Sequence, residues 1–584
     1  MNEQRVAKWM ATAVALVAFV TYSITMCRTV YWGDGIELTS VAPILGIPHP
    51  PGYPLFALLG KAFVQLPLGT IGFRLNLMSA TMAMVLATLV AWIVWRLLPS
   101  LGLAAEPERA PVRALLAAGA GWTVAFSQTF WYQAGMTEVY LLNAAFFAGV
   151  LLLIVLALTD SNPRCFLAAC LLTAIGFGNH QTVILLIPPL AVVGIWLLFM
   201  PRRMTDSRKD RPRLVDIPLR KQLFRLAGPA LLLGILGMFI YAYLPLRAVR
   251  NPPLNWGDPS TARNFFWAVR GGEFRNVFLF KAAPHVPFSS RTYPYFLRRR
   301  VIEWLTWTAD QFFDLPENQK PLRTVVGLLL VLVAALGWRT IARRSVVLAI
   351  VLPMVAVSDL AIAAIYNIPD IEGYFFPAHT ILVICLFAAL ANLHRWTENR
   401  LLARKSTALA AMFLALPAVA WFQARSICDH SHYDAAERYG REVLDQLAPN
   451  AMILTRGDYD IEPLWYQQIV EHRRRDVVVF GSNFLATPGY AKYFEGRYDP
   501  PVEARFLKWT PYEADYFKIL AGEIIAPNMD HRPLYSTWFD PRLGVAGDEI
   551  EIAVLRDSQT LAVPERIHFP APVIYRLRKG GTQP

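Results

Sequence analysis

The sequence specifies a mainly α-helical, polytopic membrane protein that ends in a small α/β unit. Three observations predict this. Of 584 residues, 55% are hydrophobic and only 17% charged, where soluble domains carry about 25% charged residues. The mean hydropathy is +0.36, and apolar runs recur through the first 425 residues, each near the ~20 residues that cross a bilayer. From about Cys428 the composition turns soluble, with strand-like and helix-like runs in alternation.

The elements follow in order. Arg5 and Lys8 precede an apolar run from about Trp9 to Met26. A secretory signal has a shorter apolar region and a small-residue cleavage site; here Cys27-Arg28 follows instead, so the run reads as a retained first span. Hydropathy places about eleven spans, near 9–27, 74–98, 112–130, 139–158, 165–177, 180–200, 226–246, 323–339, 345–366, 375–393 and 406–424. The fifth and sixth are short and read as a helical hairpin meeting at Gly178-Asn179-His180.

With the N-terminus inside, the inner loops hold Arg109 and Arg113, then the cluster from Arg202 to Arg225, then Arg339 to Arg344, then Arg395 to Lys405. The positive-inside rule is met loop after loop. Segment 247–322 is arginine-rich yet falls outside; longer loops escape the rule, and such arginines suit an anionic ligand. This divides the chain into a membrane domain, 1–425, with outer loops 28–73 and 247–322, and an outward-facing soluble α/β domain, 426–584. No eukaryotic sorting signal is evident, which points to a bacterial inner (plasma) membrane, with the N-terminus cytoplasmic and the tail periplasmic. The net charge of +13 does not indicate nucleic acid, because the basic residues cluster at span ends.

In the tail, Tyr433 to Leu447 reads as an amphipathic helix, Ala451 to Thr455 as a buried strand, Glu462 to Glu471 as a helix and Asp476 to Phe480 as a second strand. No internal repeat, low-complexity tract or glycine-rich phosphate loop is found. The five cysteines (Cys27, Cys165, Cys170, Cys385, Cys428) have no metal-ligand spacing. Cys27 and Cys428 share the outer side, but nothing in their spacing demands a disulfide.

Candidate functional residues gather at outer positions. Asp34 and Glu37, three apart, share one face of a helix at the exit of the first span. A positioned, partly desolvated carboxylate there can serve as a general base; equally, two loop carboxylates can simply end a span in water. His49-Pro50-Pro51-Gly52 is a stiff turn carrying an imidazole. It either plugs the outer mouth or donates to a phosphate or sugar. Tyr53 to Leu66 is apolar but too short to span, as for a helix lying in the interface. Glu138 lies between the third and fourth spans, and His180 beside Asn179 lies in the hairpin break; each can face a cleft or be a satisfied interfacial group. Arg247 and Arg250 end the seventh span, where an arginine fork suits a phosphate or snorkels to headgroups. Trp256 sits in Asn255-Trp256-Gly257-Asp258-Pro259, suited to stacking on a sugar or to plain packing. Asp370, Glu372 and Tyr374 form a second tier. No zinc-like spacing is present, and no residue pattern requires a metal or other cofactor.

Several of these stretches together resemble a known family. They are Asp34 to Leu55 (DGIELTSVAPILGIPHPPGYPL), Thr137 to Asn143 (TEVYLLN), Gly178 to His180 (GNH), Leu244 to Pro259 (LPLRAVRNPPLNWGDP), and Thr455 to Asp476 with RGDYDIEPLWYQQ at its centre. The chain resembles the multi-spanning proteins grouped as a domain of unknown function, whose eukaryotic branch is a transmembrane protein O-mannosyltransferase. The resemblance implies a GT-C class glycosyltransferase, with a catalytic carboxylate in the first outer loop and a polyprenyl-phosphate sugar as donor. It maps Asp34 to the base, with Glu37 nearby, and His49, Glu138, His180 and Arg247 to the cleft. Relatives often carry a GDND-type stretch where this chain has Gly457-Asp458-Tyr459-Asp460, so a shared role of the tail does not carry over.

The expected function is transfer of a sugar, mannose among the candidates, from the lipid carrier to a hydroxyl of protein Ser/Thr or of a glycan on the outer face. One displacement, with Asp34 as base, inverts the anomeric centre. The alternative is a transporter or flippase of lipid-linked sugar, whose marks would be inverted repeats and midplane charges; neither is seen in the sequence.

Overall fold

The computed structural model describes residues 2–577 except 104, 161, 200–202, 205–212, 215–218, 273, 275–291, 314, 367, 369–370, 399–405, 504–519, 539–552 and 555–574. Among the described residues, eight helices are long and apolar enough to cross a membrane: Glu3–Thr25, Ile71–Leu97, Tyr140–Thr159, Gln181–Phe199, Arg225–Ala248, Glu317–Ala342, Val346–Ile365 and Ile371–Glu398. The other three expected spans are shorter helical segments. Ala110–Phe126 has 17 residues between an N-terminal proline and Ser127. Pro163–Phe177 is started by Asn162, whose side chain accepts from the Arg164 amide, and stopped at Gly178. Ala410–Ala424 is broken around Phe413-Leu414. Proline at an N-terminus costs no helical bond, so the first two segments start cleanly but end early.

The helix Glu317–Ala342 leaves Leu328, Leu329, Leu332 and Leu336 exposed, the surface a lipid solvent would cover. By contrast, Tyr140–Thr159 and Ile371–Glu398 are the most enclosed of the eight. The first loop holds two short helices, Gly35–Ile44 and Pro54–Val64. The second falls within the Tyr53 to Leu66 segment and is entered through Tyr53 in a left-handed conformation.

The tail contains a five-stranded sheet in the order Val478–Gly481, Met452–Thr455, Leu534–Ser536, Tyr575–Leu577, Ala553–Val554. The first three strands are parallel, with Met452 opposite both Val478 and Leu534, and the last two pair antiparallel. Burial of Met452–Thr455 and Val478–Gly481 on both faces is the reason both read as continuous apolar runs. The helix Ala435–Asp445 lies within the expected segment.

The following helix differs from expectation. It runs Asp458–Ile469 rather than starting at Glu462. Gly457 is extended and Asp458 and Asp460 occupy the first turn, where carboxylates complement the helix dipole; Pro463 is tolerated inside it. This early start puts Asp458 and Glu462 one turn apart on a single face.

Tail and first loop share one hydrophobic cluster, in which Trp32, Ile36, Ile47 and Trp256 pack with Ile461, Leu464, Trp465 and Phe484. Polar ties add to it: Lys492 Nζ bonds Asp258 Oδ2 at 3.2 Å, and Arg497 Nη2 donates to Asn251 O at 2.8 Å. All five cysteines are free thiols. Cys27 and Cys428 do not pair; they donate instead to the carbonyls of Tyr433 and Gln128, each at 3.4 Å.

Candidate active site

The site begins with two glycines. Gly33 has φ +121°, open to glycine alone at low cost, and turns the chain into the helix Gly35–Ile44. At Gly35 a Cβ would stand 2.3 Å from Thr137 O, so the missing side chain lets the helix start lie against the Thr137-Glu138 segment. Asp34 occupies the N-cap position, where the helix dipole favours a carboxylate. Its side chain is 46% exposed.

Glu37, one turn on, has no exposed surface. It accepts twice from one residue: the His49 backbone N–H reaches Oε1 at 2.9 Å and Nδ1 lies 2.6 Å from Oε2. His49 Nε2 then stands 3.1 Å from the Tyr53 hydroxyl and 3.7 Å from Asp34 Oδ2. Asp34 and Glu37 therefore do share a face, and the stiff turn brings its imidazole between them. Burial alone would lower the His49 pKa, but the charge and hydrogen bond of Glu37, with Asp34 and Asp458 behind them, raise it to about 10. At neutral pH His49 is an imidazolium, donating Nδ1–H to Glu37 and Nε2–H to Tyr53.

Around this core, Thr137 Oγ1 donates to Asn76 Oδ1 at 2.6 Å and the Glu138 amide donates to Ser79 Oγ at 3.2 Å. Both hold Glu138, itself buried, near the helix start. His180 closes another side. Its Nδ1 lies 2.8 Å from Thr182 Oγ1, which also accepts from Asn143 Nδ2 at 2.9 Å. The His180 ring faces those of Tyr53, Tyr140 and Tyr374 at 6.3, 5.8 and 5.2 Å between centroids. Trp256 stands 6.0 Å from the His49 ring and edge-on to Phe484 at 4.4 Å, so it packs the floor beneath the imidazole. Glu372 lies in the short turn Ile371–Phe375, and Asp370 lies outside the described residues.

Arg247 is the exception. Its guanidinium is engaged by the protein's own backbone. Its Nε and Nη2 donate to Leu45 O and Ile44 O at 2.7 and 2.8 Å, satisfying carbonyls at the far end of the helix that Asp34 starts. The unfilled carbonyls of a helix C-terminus attract a cation, and that demand captures the arginine.

Sequence reasoning missed the tail. Asp458, Glu462 and Asn483 meet the first loop, with Asn483 Nδ2 donating to Asp458 Oδ1 at 2.9 Å. Burial, then the charge of Asp34, raises the Asp458 pKa to about 6, against the opposing pull of His49 and Asn483. Burial raises Glu462 far above the usual carboxylate range, and Asp34, Asp458, Glu37 and Glu138 add to it. Among the described residues no group of three or more His, Cys, Asp or Glu side chains is placed to hold a metal ion.

A family model described as the protein O-mannosyl-transferase TMEM260 N-terminal domain matches residues 34–202, starting at Asp34, and one described as TMEM260-associated domain 2 matches residues 436–504. Both models describe the TMEM260 family of protein O-mannosyl-transferases, and with the relatives that follow they mark the chain as a membrane glycosyltransferase similar to that family. The mouse protein O-mannosyl-transferase TMEM260 is 26% identical over 540 residues, covering 89% of this chain and 68% of the relative. A Dictyostelium discoideum protein O-mannosyl-transferase is 27% identical over 270 residues, covering 42% of this chain and 28% of that relative. Among solved structures, ArnT from Cupriavidus metallidurans bound to undecaprenyl phosphate superposes with a TM-score of 0.49 at 14% identity, covering 98% of this chain and 99% of that one. An Archaeoglobus fulgidus oligosaccharyltransferase superposes with a TM-score of 0.44 at 12% identity, covering 90% and 68%. The Asp34–His49 constellation thus opens the first family match, and Asp458 falls inside the second.

Proposed function

We propose that this glycosyltransferase moves a sugar, mannose being the first candidate, from a polyprenyl-phosphate carrier to a hydroxyl acceptor such as protein Ser or Thr, with inversion and with Asp34 as the base. One observation carries the reading: Asp34 is the solvent-open carboxylate of the group, set at a helix start and 3.7 Å from an imidazolium that the buried Glu37 fixes. The acceptor O–H proton passes to Asp34 as the oxygen forms its bond to the anomeric carbon. The bond from that carbon to phosphate breaks, and its electron pair leaves with the phosphate oxygen. Glu37 sets the orientation and charge of His49; Tyr53, His180 and Glu138 shape the cleft; Trp256 supports it. The leaving phosphate needs little proton help because it departs as an anion.

The donor is lipid-borne in this reading because the site lies beside spans while its acceptor side opens to water. The named relatives are protein O-mannosyl-transferases, which supports mannose and protein. The basic inner loops support a cytoplasmic N-terminus and an outward-facing site and tail; a bacterial inner membrane is proposed from the sequence alone, while the named relatives are eukaryotic. The test is product stereochemistry: purified protein is given α- or β-configured labelled polyprenyl-phosphate mannose and a Ser/Thr peptide. The expected product has the opposite anomeric configuration by NMR; retention would require a second displacement and remove the single-base mechanism.

A further inference from the structure

The tail does more than cover the membrane domain. Its helix Asp458–Ile469 packs directly against the helix that starts at Asp34. The seam is closed by Trp465 on Phe484 at 5.3 Å and Phe484 on Trp256 at 4.4 Å. Trp256 in turn touches the His49 ring. The first residue of the tail helix is thereby held at the cleft. Asp458 remains half-buried, so water reaches it, while Glu462 on the same face is 3% exposed. Asn483 fixes one Asp458 oxygen with its N–H, and the buried Oδ1 of Asn483 has no hydrogen-bond partner among the described residues. This is an acceptor left over at the cleft wall, where buried polar groups ordinarily find a partner.

We infer that Asp458 is a positioning residue of the same site: ionised opposite Asp34, it strengthens Asp34 as a base and receives the acceptor's proton from it for release to water. The inference rests on Asp34 being the base. The balance is simple. The acceptor proton moves first to Asp34, then to an Asp458 carboxylate oxygen, then to solvent, and both carboxylates are restored.

The charges facing Asp458 are Asp34 and His49 across the cleft, Asp460 and Glu462 on its own helix, and Glu37 farther in. Burial first, and then the nearby Asp34 carboxylate, make Asp458 hold its proton more tightly and bring its pKa to about 6. Wild-type turnover therefore rises with pH through that value as Asp458 ionises. Asp458→Asn fixes the neutral state.

The experiment measures transfer from labelled undecaprenyl-phosphate mannose to a Ser/Thr peptide between pH 5 and 8, using the full-length protein in detergent or nanodiscs. Asp458→Asn is expected to lose about tenfold in kcat at pH 7.5, a neighbour's share of a general base worth about 100-fold or more. It is also expected to show no inflection near pH 6, with donor KM unchanged. Asp458→Glu restores both rate and inflection. Asn483→Ala, which removes a bond favouring the carboxylate, moves the inflection to higher pH. A slow Asp458→Asn enzyme that keeps the wild-type inflection would mean a structural role only and overturn the inference, as would an unchanged rate and profile. Asp34→Asn is run beside them: if it stays active, the base assignment and this inference fall together; if it is dead while Asp458→Asn behaves as wild type, this inference alone falls.

Discussion

Replacing Glu37 by Gln tests the electrostatics at the centre of the site. Glu37 is fully buried and makes two hydrogen bonds to His49. The amide keeps the shape but removes the charge that holds His49 protonated. His49 is raised from 6.5 to about 10. At about 1.4 kcal/mol for each tenfold change, the protonated His49 gains on the order of 4–5 kcal/mol from its surroundings, and the burial that raises the Glu37 pKa takes back part of it. That agrees with the about 3–5 kcal/mol lost on breaking a buried ion pair. Because the folded-state pKa of His49 is raised, this stability is fully present below pH 6.5 and is lost as pH rises through about 10. Thermal unfolding of the purified protein at pH 6.5, 8 and 9.5 reads it out. The Tm gap between wild type and Glu37→Gln is expected to be widest at pH 6.5 and to narrow steadily toward pH 10. In the variant the largest pull holding the proton on His49 is gone while burial still opposes it, so the His49 pKa falls. A gap that is constant over this range, or that widens with pH, would refute the imidazolium assignment.

Other consequences follow from single contacts. Gly35→Ala places a methyl against the Thr137 carbonyl, 2.3 Å from an ideal Cβ; it should displace the helix start and cut transfer by tenfold or more, with a loss of about 1–3 kcal/mol read as a lower Tm. Arg247→Ala removes two bonds to helix-end carbonyls and should cost about 1–3 kcal/mol of stability while leaving donor KM unchanged; a large rise in KM would return Arg247 to the phosphate.

Much of this site was legible from local spacing, and the rest was not for identifiable reasons. Asp34 and Glu37 are three apart on one helix, so their common face is a matter of helical geometry. That His49 would return to Glu37 depends on the path of a 12-residue separation, which proline and glycine stiffen without giving it a direction. Trp256 offered both stacking and packing, and the packing partner, Phe484, is more than two hundred residues away in sequence. The partners of Arg247 were not legible, because a residue type suited to phosphate suits a helix C-terminus equally well and only the tertiary fold shows that Ile44 and Leu45 are in reach. Asp458 stayed hidden because the helix begins at Asp458 rather than at Glu462, and those four residues decide whether its carboxylate shares a face with Glu462. The eleven apolar stretches appear as helical segments, but early stops and one break leave three of them short.

The most direct test of the account is sugar transfer by wild type and by Asp34→Asn at matched expression, from labelled polyprenyl-phosphate sugars supplied to purified membranes. The account predicts transfer by wild type and a loss of at least about 100-fold in the variant, with its Tm and donor binding retained. Equal transfer by the two proteins would contradict it, because no other described carboxylate at the site combines this exposure with a place beside His49.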